Sequence, residues 1–118
     1  MKPAGDPFAQ GIELFNRQAF FECHEVLEDL WRPMHGPRRL FLQGIIHLAV
    51  GFYHHQQANP PGADRQLRKG LKKLAGYLPE FDGIDTALLY REALACLETI
   101  MSGHAPERFP EIHLSSFV

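Results

Sequence analysis

The residues best suited to chemistry lie in one segment, Phe20 to Trp31, which reads FFECHEVLEDLW. His24 and Glu28 are four residues apart, so on an α-helix their side chains lie one turn apart on the same face. A neutral imidazole and a carboxylate can bind a divalent metal ion together, exchange a proton with a ligand, or hydrogen-bond to each other. The pair alone leaves these three uses open.

The position of His24 on the helix makes the pair notable. Successive helical residues are about 100° apart, which places Phe20, His24, Leu27 and Trp31 within about 40° of a common direction. We therefore expect His24 to face the core, with Glu28 beside it. An unpartnered buried polar group costs about 1–3 kcal/mol, so the imidazole must be hydrogen-bonded or coordinated.

A polar stripe on the next predicted helix could complete such a site. Gln43, His47 and His54 fall within about 40° of one another on an otherwise apolar helix. Only a few residues connect this helix to the one carrying His24, so the two should pack antiparallel. We expect the stripe to face His24 and Glu28, or a neighbouring helix of similar polarity. The alternative is that these side chains bond only to water or to backbone ends.

Proline, glycine and capping residues divide the chain into the elements that must position these groups. Asp6 before Pro7, Asn59 before Pro60, and Asp85 are signals for helix starts. The predicted helices cover about 7–15, 19–32, 37–57, 60–78 and 86–102, and no strand pattern is evident. We expect one all-α domain over residues 1–118. It should be a compact bundle of about five largely antiparallel helices, with an extended tail from about 104 to 118.

Composition narrows the classes of function. The chain has 118 residues, of which 45% are hydrophobic and 22% charged, as is typical of one globular domain. The net charge is −2, and the basic residues of the fourth predicted helix lack interleaved aromatics, so we do not expect nucleic-acid binding. We recognise neither a signal peptide nor a membrane span, and we expect a cytoplasmic protein.

The two cysteines, Cys23 and Cys96, fall within apolar helical segments. We interpret them as small core residues and not as a disulfide or a metal-binding pair.

The motif His-x3-Glu-x2-Trp is followed by Phe41-Leu42-Gln43-Gly44 and then by Asn59-x-x-Gly62-Ala63. In this order and spacing the chain resembles the bacterial and archaeal family called domain of unknown function 309. The resemblance extends over residues 14–74. It implies a small all-helical fold and a functional, metal-binding role for the motif, but no reaction.

This chain departs from the family pattern at three positions. Gln18 and Ala58 stand where the family has glycine, and His47 stands where it more often has glutamine. The last departure makes His54 a better candidate than His47 for a third ligand.

The leading prediction is a polar site that binds zinc, manganese or iron through His24, Glu28 and His54. Glu28 or Glu25 would then act as ligand or base in metal-assisted hydrolysis. The predicted ligand-binding residues beside the metal are Trp31, Gln43 and Asn59. The predicted partner is a small molecule or a protein, and the apolar remainder of the first and last helices predicts a homodimer. The alternative is a non-catalytic interaction or scaffold domain in which His24 and Glu28 form a structural hydrogen-bond network.

Overall fold

Five α-helices follow one another in a computed structural model that describes residues 6–115. They are α1 (Pro7–Asn16), α2 (Phe20–Trp31), α3 (Pro37–Gln56), α4 (Pro60–Leu74) and α5 (Thr86–Met101). Each helix packs against the next one in sequence, and the α3–α4 interface is the most extensive. The all-α prediction is therefore confirmed.

Three of the five helix starts, those of α1, α4 and α5, have a side-chain cap, as the sequence predicts. Asp6 accepts a hydrogen bond from the Phe8 N–H at 3.0 Å, and Asp85 accepts one from the Leu88 N–H at 3.0 Å. Asn59 caps α4 in the same way. Such caps satisfy backbone donors that have no partner inside the helix, and each contributes about 1 kcal/mol.

The core is built around α3, the predicted central helix. Nine of its residues are buried: Phe41, Leu42, Gly44, Ile45, Ile46, Leu48, Ala49, Gly51 and Phe52. An aromatic cluster fixes the α1–α2–α3 junction, with ring centroids 5.2 Å apart for Phe15 and Phe20 and 5.3 Å apart for Phe20 and Phe52. Pairs at these separations stabilise a core beyond the area that they bury.

The chain after α5 is extended and lies against the helices. Phe109 joins the aromatic cluster, 5.4 Å from the Phe20 ring centroid. The Asn16 side chain accepts a hydrogen bond from the Ile112 N–H at 2.6 Å and donates one to the Ile112 carbonyl at 3.0 Å. Residues 116–118 of the predicted tail, like residues 1–5, lie outside the described part of the chain.

The region between α4 and α5 differs from the prediction. Helix α4 ends at Leu74, four residues earlier than expected, and Leu78 is exposed. Two short antiparallel strands follow, β1 (Glu80–Phe81) and β2 (Ile84–Asp85). Asp82 and Gly83 both have positive φ, at 53° and 78°, which is the geometry of a tight hairpin turn. The Asp-Gly pair was the local signal for this hairpin.

None of the helices within residues 6–115 combines the length and the apolarity needed to cross a lipid bilayer.

Two residues at helix ends, Gln18 and Ala58, occupy the left-handed backbone region. Gln18, after α1, has a φ of 63°, and Ala58, after α3, has a φ of 56°. A side chain at such a position clashes with its own backbone, whereas glycine does not. That the family has glycine at these two positions stays a prediction.

We predict that Ala58→Gly stabilises the protein. Removing the methyl group relieves the left-handed strain, which outweighs the greater freedom that glycine gives the unfolded chain. The free energy of unfolding, measured by urea denaturation, should rise by about 0.5–1 kcal/mol. The control is Ala95→Gly on the exposed side of α5, which should lower it by about 0.5–1 kcal/mol. Equal destabilisation by both changes would contradict the prediction.

Candidate functional site

A small cleft lies where the first half of α2 meets the second half of α3. Its volume is about 180 Å³, and it is lined by Phe21, His24, Val50, Tyr53 and His54. The two histidines come from different helices, so the antiparallel packing of α2 and α3 brings them to one recess.

His24 and Glu28 are adjacent, as their spacing requires. The distance from His24 Nε2 to Glu28 Oε2 is 3.3 Å, and the two side chains are 26% and 34% exposed. The other oxygen of Glu28 accepts a hydrogen bond from Arg32 at 2.9 Å. Glu28 thus links an imidazole and a guanidinium along one side of α2.

His24 lies less deep than the sequence predicted. The buried residues of α2 are Phe20, Cys23 and Leu27, while His24 is half-buried. Helix α1 covers this side of α2, where Gly11 packs so closely against Leu27 that a Cβ there would overlap it. The buried face of α2 is centred on Phe20, Cys23 and Leu27, and His24 lies at its edge.

His54 is held by the first turn of α4. Its Nδ1 is 3.1 Å from the side-chain nitrogen of Asn59, and the Asn59 Oδ1 accepts a hydrogen bond from the Gly62 N–H at 3.3 Å. A Cβ on Gly62 would lie 2.8 Å from the His54 ring and 2.6 Å from the Asn59 nitrogen. The Asn-x-x-Gly motif therefore lets the imidazole pack against the helix start.

The polar stripe of α3 does not face a single neighbour. His47 faces α4, where its Nδ1 is 2.8 Å from Gln66 Oε1. Gly44 and Gly51 lie on the same side, against Leu74 and Leu67 of α4. His47 therefore packs with the neighbouring helix and not with His24, while His54 lies at the junction of α2, α3 and α4.

Gln43 and Glu25 do not line the cleft. Gln43 is half-buried but lies three turns before His54, about 16 Å along α3. Glu25 is exposed on α2. Of the two predicted carboxylates, Glu28 is the one in contact with a cleft residue. A catalytic role for either one stays a prediction.

Trp31 belongs to a separate arrangement, two turns beyond His24. It packs against the core, and the Arg39 guanidinium lies 3.9 Å from its ring centroid. Within residues 6–115, the Trp31 Nε1 and the Arg39 Nη1 are buried without a hydrogen-bond partner. This stacking joins the end of α2 to the start of α3.

The predicted metal ligands are only partly brought together. Glu28 contacts His24, and His54 shares the cleft with His24. In the part of the chain that the structure describes, however, no three His, Cys, Asp or Glu side chains form a group that could hold a metal ion. Binding of zinc, manganese or iron stays a prediction.

Both cysteines are free and buried, as predicted. Burial raises the pKa of the Cys23 thiol to about 12. Burial, together with the nearby Glu92, raises the pKa of Cys96 to about 11. Neither thiol is a nucleophile at neutral pH.

A comparison with protein families gives a match over residues 8–66 to the family described as Domain of unknown function (DUF309). The chain belongs to this family. The matched segment contains every residue that lines the cleft, together with Glu28, Asn59 and Gly62.

One relative is the protein named "Uncharacterized protein YpuF" from Bacillus subtilis (strain 168). It is 36% identical over 64 residues, which make up 53% of this chain and 37% of that protein. The chain thus matches little more than a third of this curated relative. The names of the family and of this relative state no activity.

We predict that His47 makes stability depend on pH. Burial is the main cause that lowers its pKa, and Lys73 and Lys69 lower it further, against an opposing hydrogen bond to Gln66. A histidine with a lowered pKa binds fewer protons folded than unfolded. Its stabilising contribution is therefore present above about pH 6.5, the unfolded pKa, and is lost as the pH falls through the folded pKa.

Replacing His47 should weaken this dependence. His47→Gln keeps a hydrogen-bonding side chain opposite Gln66 but cannot be protonated. Urea unfolding at about pH 7.5 and about pH 5.5 should show a smaller loss of stability at low pH for the variant than for the natural chain. His104→Gln, at an exposed position, is the matched control and should leave the loss unchanged. An identical loss in all three proteins would contradict the assignment.

Proposed function

We propose that this domain binds a small polar ligand in the cleft between α2 and α3, through His24 and His54. The observation that supports this is that each ring is held by the protein at one nitrogen. Glu28 contacts the Nε2 of His24, and Asn59 bonds to the Nδ1 of His54. Within residues 6–115, the second nitrogen of each ring (Nδ1 of His24 and Nε2 of His54) has no hydrogen-bond partner in the protein. Neither nitrogen is fully buried. Both remain available to a ligand.

The walls of the cleft support binding of this kind. Phe21, Val50 and Tyr53 supply apolar surface around the two imidazoles, and ligand sites typically combine such walls with a few polar groups that fix orientation. Phe21 is 45% exposed, and its ring centroid lies 5.3 Å from that of Tyr53. These two rings form an aromatic edge that a ligand would cover.

The volume of the cleft limits the ligand. About 180 Å³ corresponds to roughly six water molecules. Sites for drug-sized molecules are larger, at about 300–1,000 Å³. The cleft therefore suits a small metabolite, or the end of a longer molecule.

A second and larger recess is a weaker candidate for the binding site. It has a volume of about 590 Å³ and lies between α5 and the extended segment at residues 105–113. All of its lining residues fall outside the segment that matches the family, whereas the smaller cleft lies inside it. A function common to the family therefore belongs to the cleft.

The proposal predicts saturable binding of a small probe at both imidazoles. We would titrate the protein with acetate, acetamide and methylammonium and follow the His24 and His54 ring signals by NMR. At least one probe should shift both sets of signals along a common saturation curve. Val50→Phe, which places a larger side chain on the cleft wall, should abolish the shifts, and the exposed His104 should not respond. If none of the three probes shifts the ring signals of either histidine, the proposal is wrong.

A divalent metal is the second candidate ligand, favoured by the contact between His24 and Glu28 beside His54. Imidazoles and a carboxylate suit zinc, manganese or iron, and a site with an open position would support hydrolysis.

Calorimetric titration of the untagged protein with Zn²⁺, Mn²⁺ and Fe²⁺ separates the two candidates. Metal binding requires about one ion per chain and a loss of affinity of at least about tenfold in both His24→Ala and His54→Ala. Equal, weak binding in all three proteins would exclude the metal site.

If both candidates fail, His24 and Glu28 have the structural role of an interaction or scaffold domain. His24→Ala should then only lower stability, by about 1–3 kcal/mol.

A further inference from the structure

We infer that the cleft selects ligands that carry an oxygen acceptor, because Asn59 holds His54 in the tautomer with its proton on Nε2. This inference rests on the proposed function, since it names the class of ligand for that same site.

The helix cap determines which end of the Asn59 amide faces His54. The Asn59 Oδ1 accepts the hydrogen bond from the Gly62 N–H that caps α4. The Asn59 nitrogen is then the atom 3.1 Å from His54 Nδ1. Because an amide nitrogen can only donate, His54 Nδ1 must be unprotonated and accept the bond. A neutral imidazole carries one proton, so that proton is on Nε2.

The opposite orientation of the Asn59 amide is disfavoured by both of its neighbours, Gly62 and His54. Turning the amide over would place its NH₂ group against the Gly62 N–H, so two donors would face each other and the cap would be lost. The ring also cannot withdraw easily, because it is packed onto Gly62. The local geometry therefore fixes the tautomer before any ligand arrives.

Because His54 lines the cleft, this tautomer makes its one N–H the group that it can donate to a bound ligand. Its Nε2–H matches a carbonyl, carboxylate or phosphoryl oxygen and does not match an ammonium group. It also opposes metal binding, since a metal needs the lone pair of the coordinating nitrogen. Metal-binding histidines usually donate their other N–H to an acceptor, whereas Asn59 presents a donor to His54.

The charges beside the cleft affect a neutral and an anionic oxygen acceptor differently. Phe21, Val50 and Tyr53 are uncharged, and the nearest carboxylate is Glu28, in contact with His24. A neutral carbonyl meets no repulsion there. An anionic oxygen is repelled by Glu28, but Arg32, bonded at 2.9 Å to the other oxygen of Glu28, offsets that charge, so a charged acceptor is also admitted.

The tautomer can be measured without a ligand. Histidine ring nitrogens with and without a proton differ strongly in ¹⁵N chemical shift, and long-range ¹H–¹⁵N correlation spectra at about pH 8 report the neutral form. We expect His54 to carry its proton on Nε2. His47 serves as an internal reference with the opposite tautomer, because its Nδ1 faces the acceptor oxygen of Gln66.

Asn59→Asp is the decisive variant. A carboxylate caps a helix as well as an amide does, so α4 should keep its start, but the donor towards His54 becomes an acceptor. The His54 proton should move to Nδ1, while His47 stays unchanged. An Nδ1 proton on His54 in the natural chain, or no change in the variant, would overturn the inference.

Three probes then test the ligand class. N,N-dimethylacetamide offers a neutral oxygen acceptor, acetate a charged one, and methylammonium only donors. The natural chain should bind one or both acceptor probes more tightly than methylammonium, which can pair with Nδ1 of His24 but not with His54. Asn59→Asp should weaken binding of N,N-dimethylacetamide by about tenfold, the loss expected for one hydrogen bond.

Binding of methylammonium alone would refute the ligand class. Binding of no probe would refute the proposed function, while the measured tautomer would still assign Asn59 as the residue that positions His54.

Discussion

The amide of Asn59 is the constraint on which the site depends, because each of its ends serves a different part of the structure. One end starts α4 and the other holds the ring of His54. The α3–α4 interface behind it is tight enough for backbone to meet backbone, since a Cβ on Gly70 would lie 2.8 Å from the Gly44 carbonyl oxygen. His54 therefore lies beside the most extensive helix interface of the described residues, that between α3 and α4. Helix α2 supplies His24 to the same cleft.

The residues of the His-x3-Glu-x2-Trp sequence on α2 lie in two separate places. His24 and Glu28 lie towards the cleft, and Arg32 extends their line of charges along the helix. Trp31 lies at the other end of the α2–α3 contact, beneath Arg39. In this chain one helix thus carries cleft residues at one end and a packing contact at the other.

Local signals allowed much of this to be predicted from the sequence. The caps at Asp6, Asn59 and Asp85 and the burial of α3 follow from neighbouring residues alone, and a short loop was enough to bring His24 near His54. The depth of His24 and the partner of His47 were not predictable in this way. Both depend on how α1 and α4 pack against their neighbours, at contacts in which Gly11, Gly44 and Gly51 meet leucine side chains. The hairpin at Asp82 was missed because its strands are only two residues long.

The bond pair between Asn16 and Ile112 joins positions that are 96 residues apart in the chain. It ties the end of the first helix to the extended segment that follows the last one. Removal of the segment around Ile112 would therefore break both bonds and also take Phe109 away from the rings of Phe20 and Phe52. A shortened version cut after α5, although it would keep the residues of all five helices and of the cleft, would lose this connection between the two ends of the bundle.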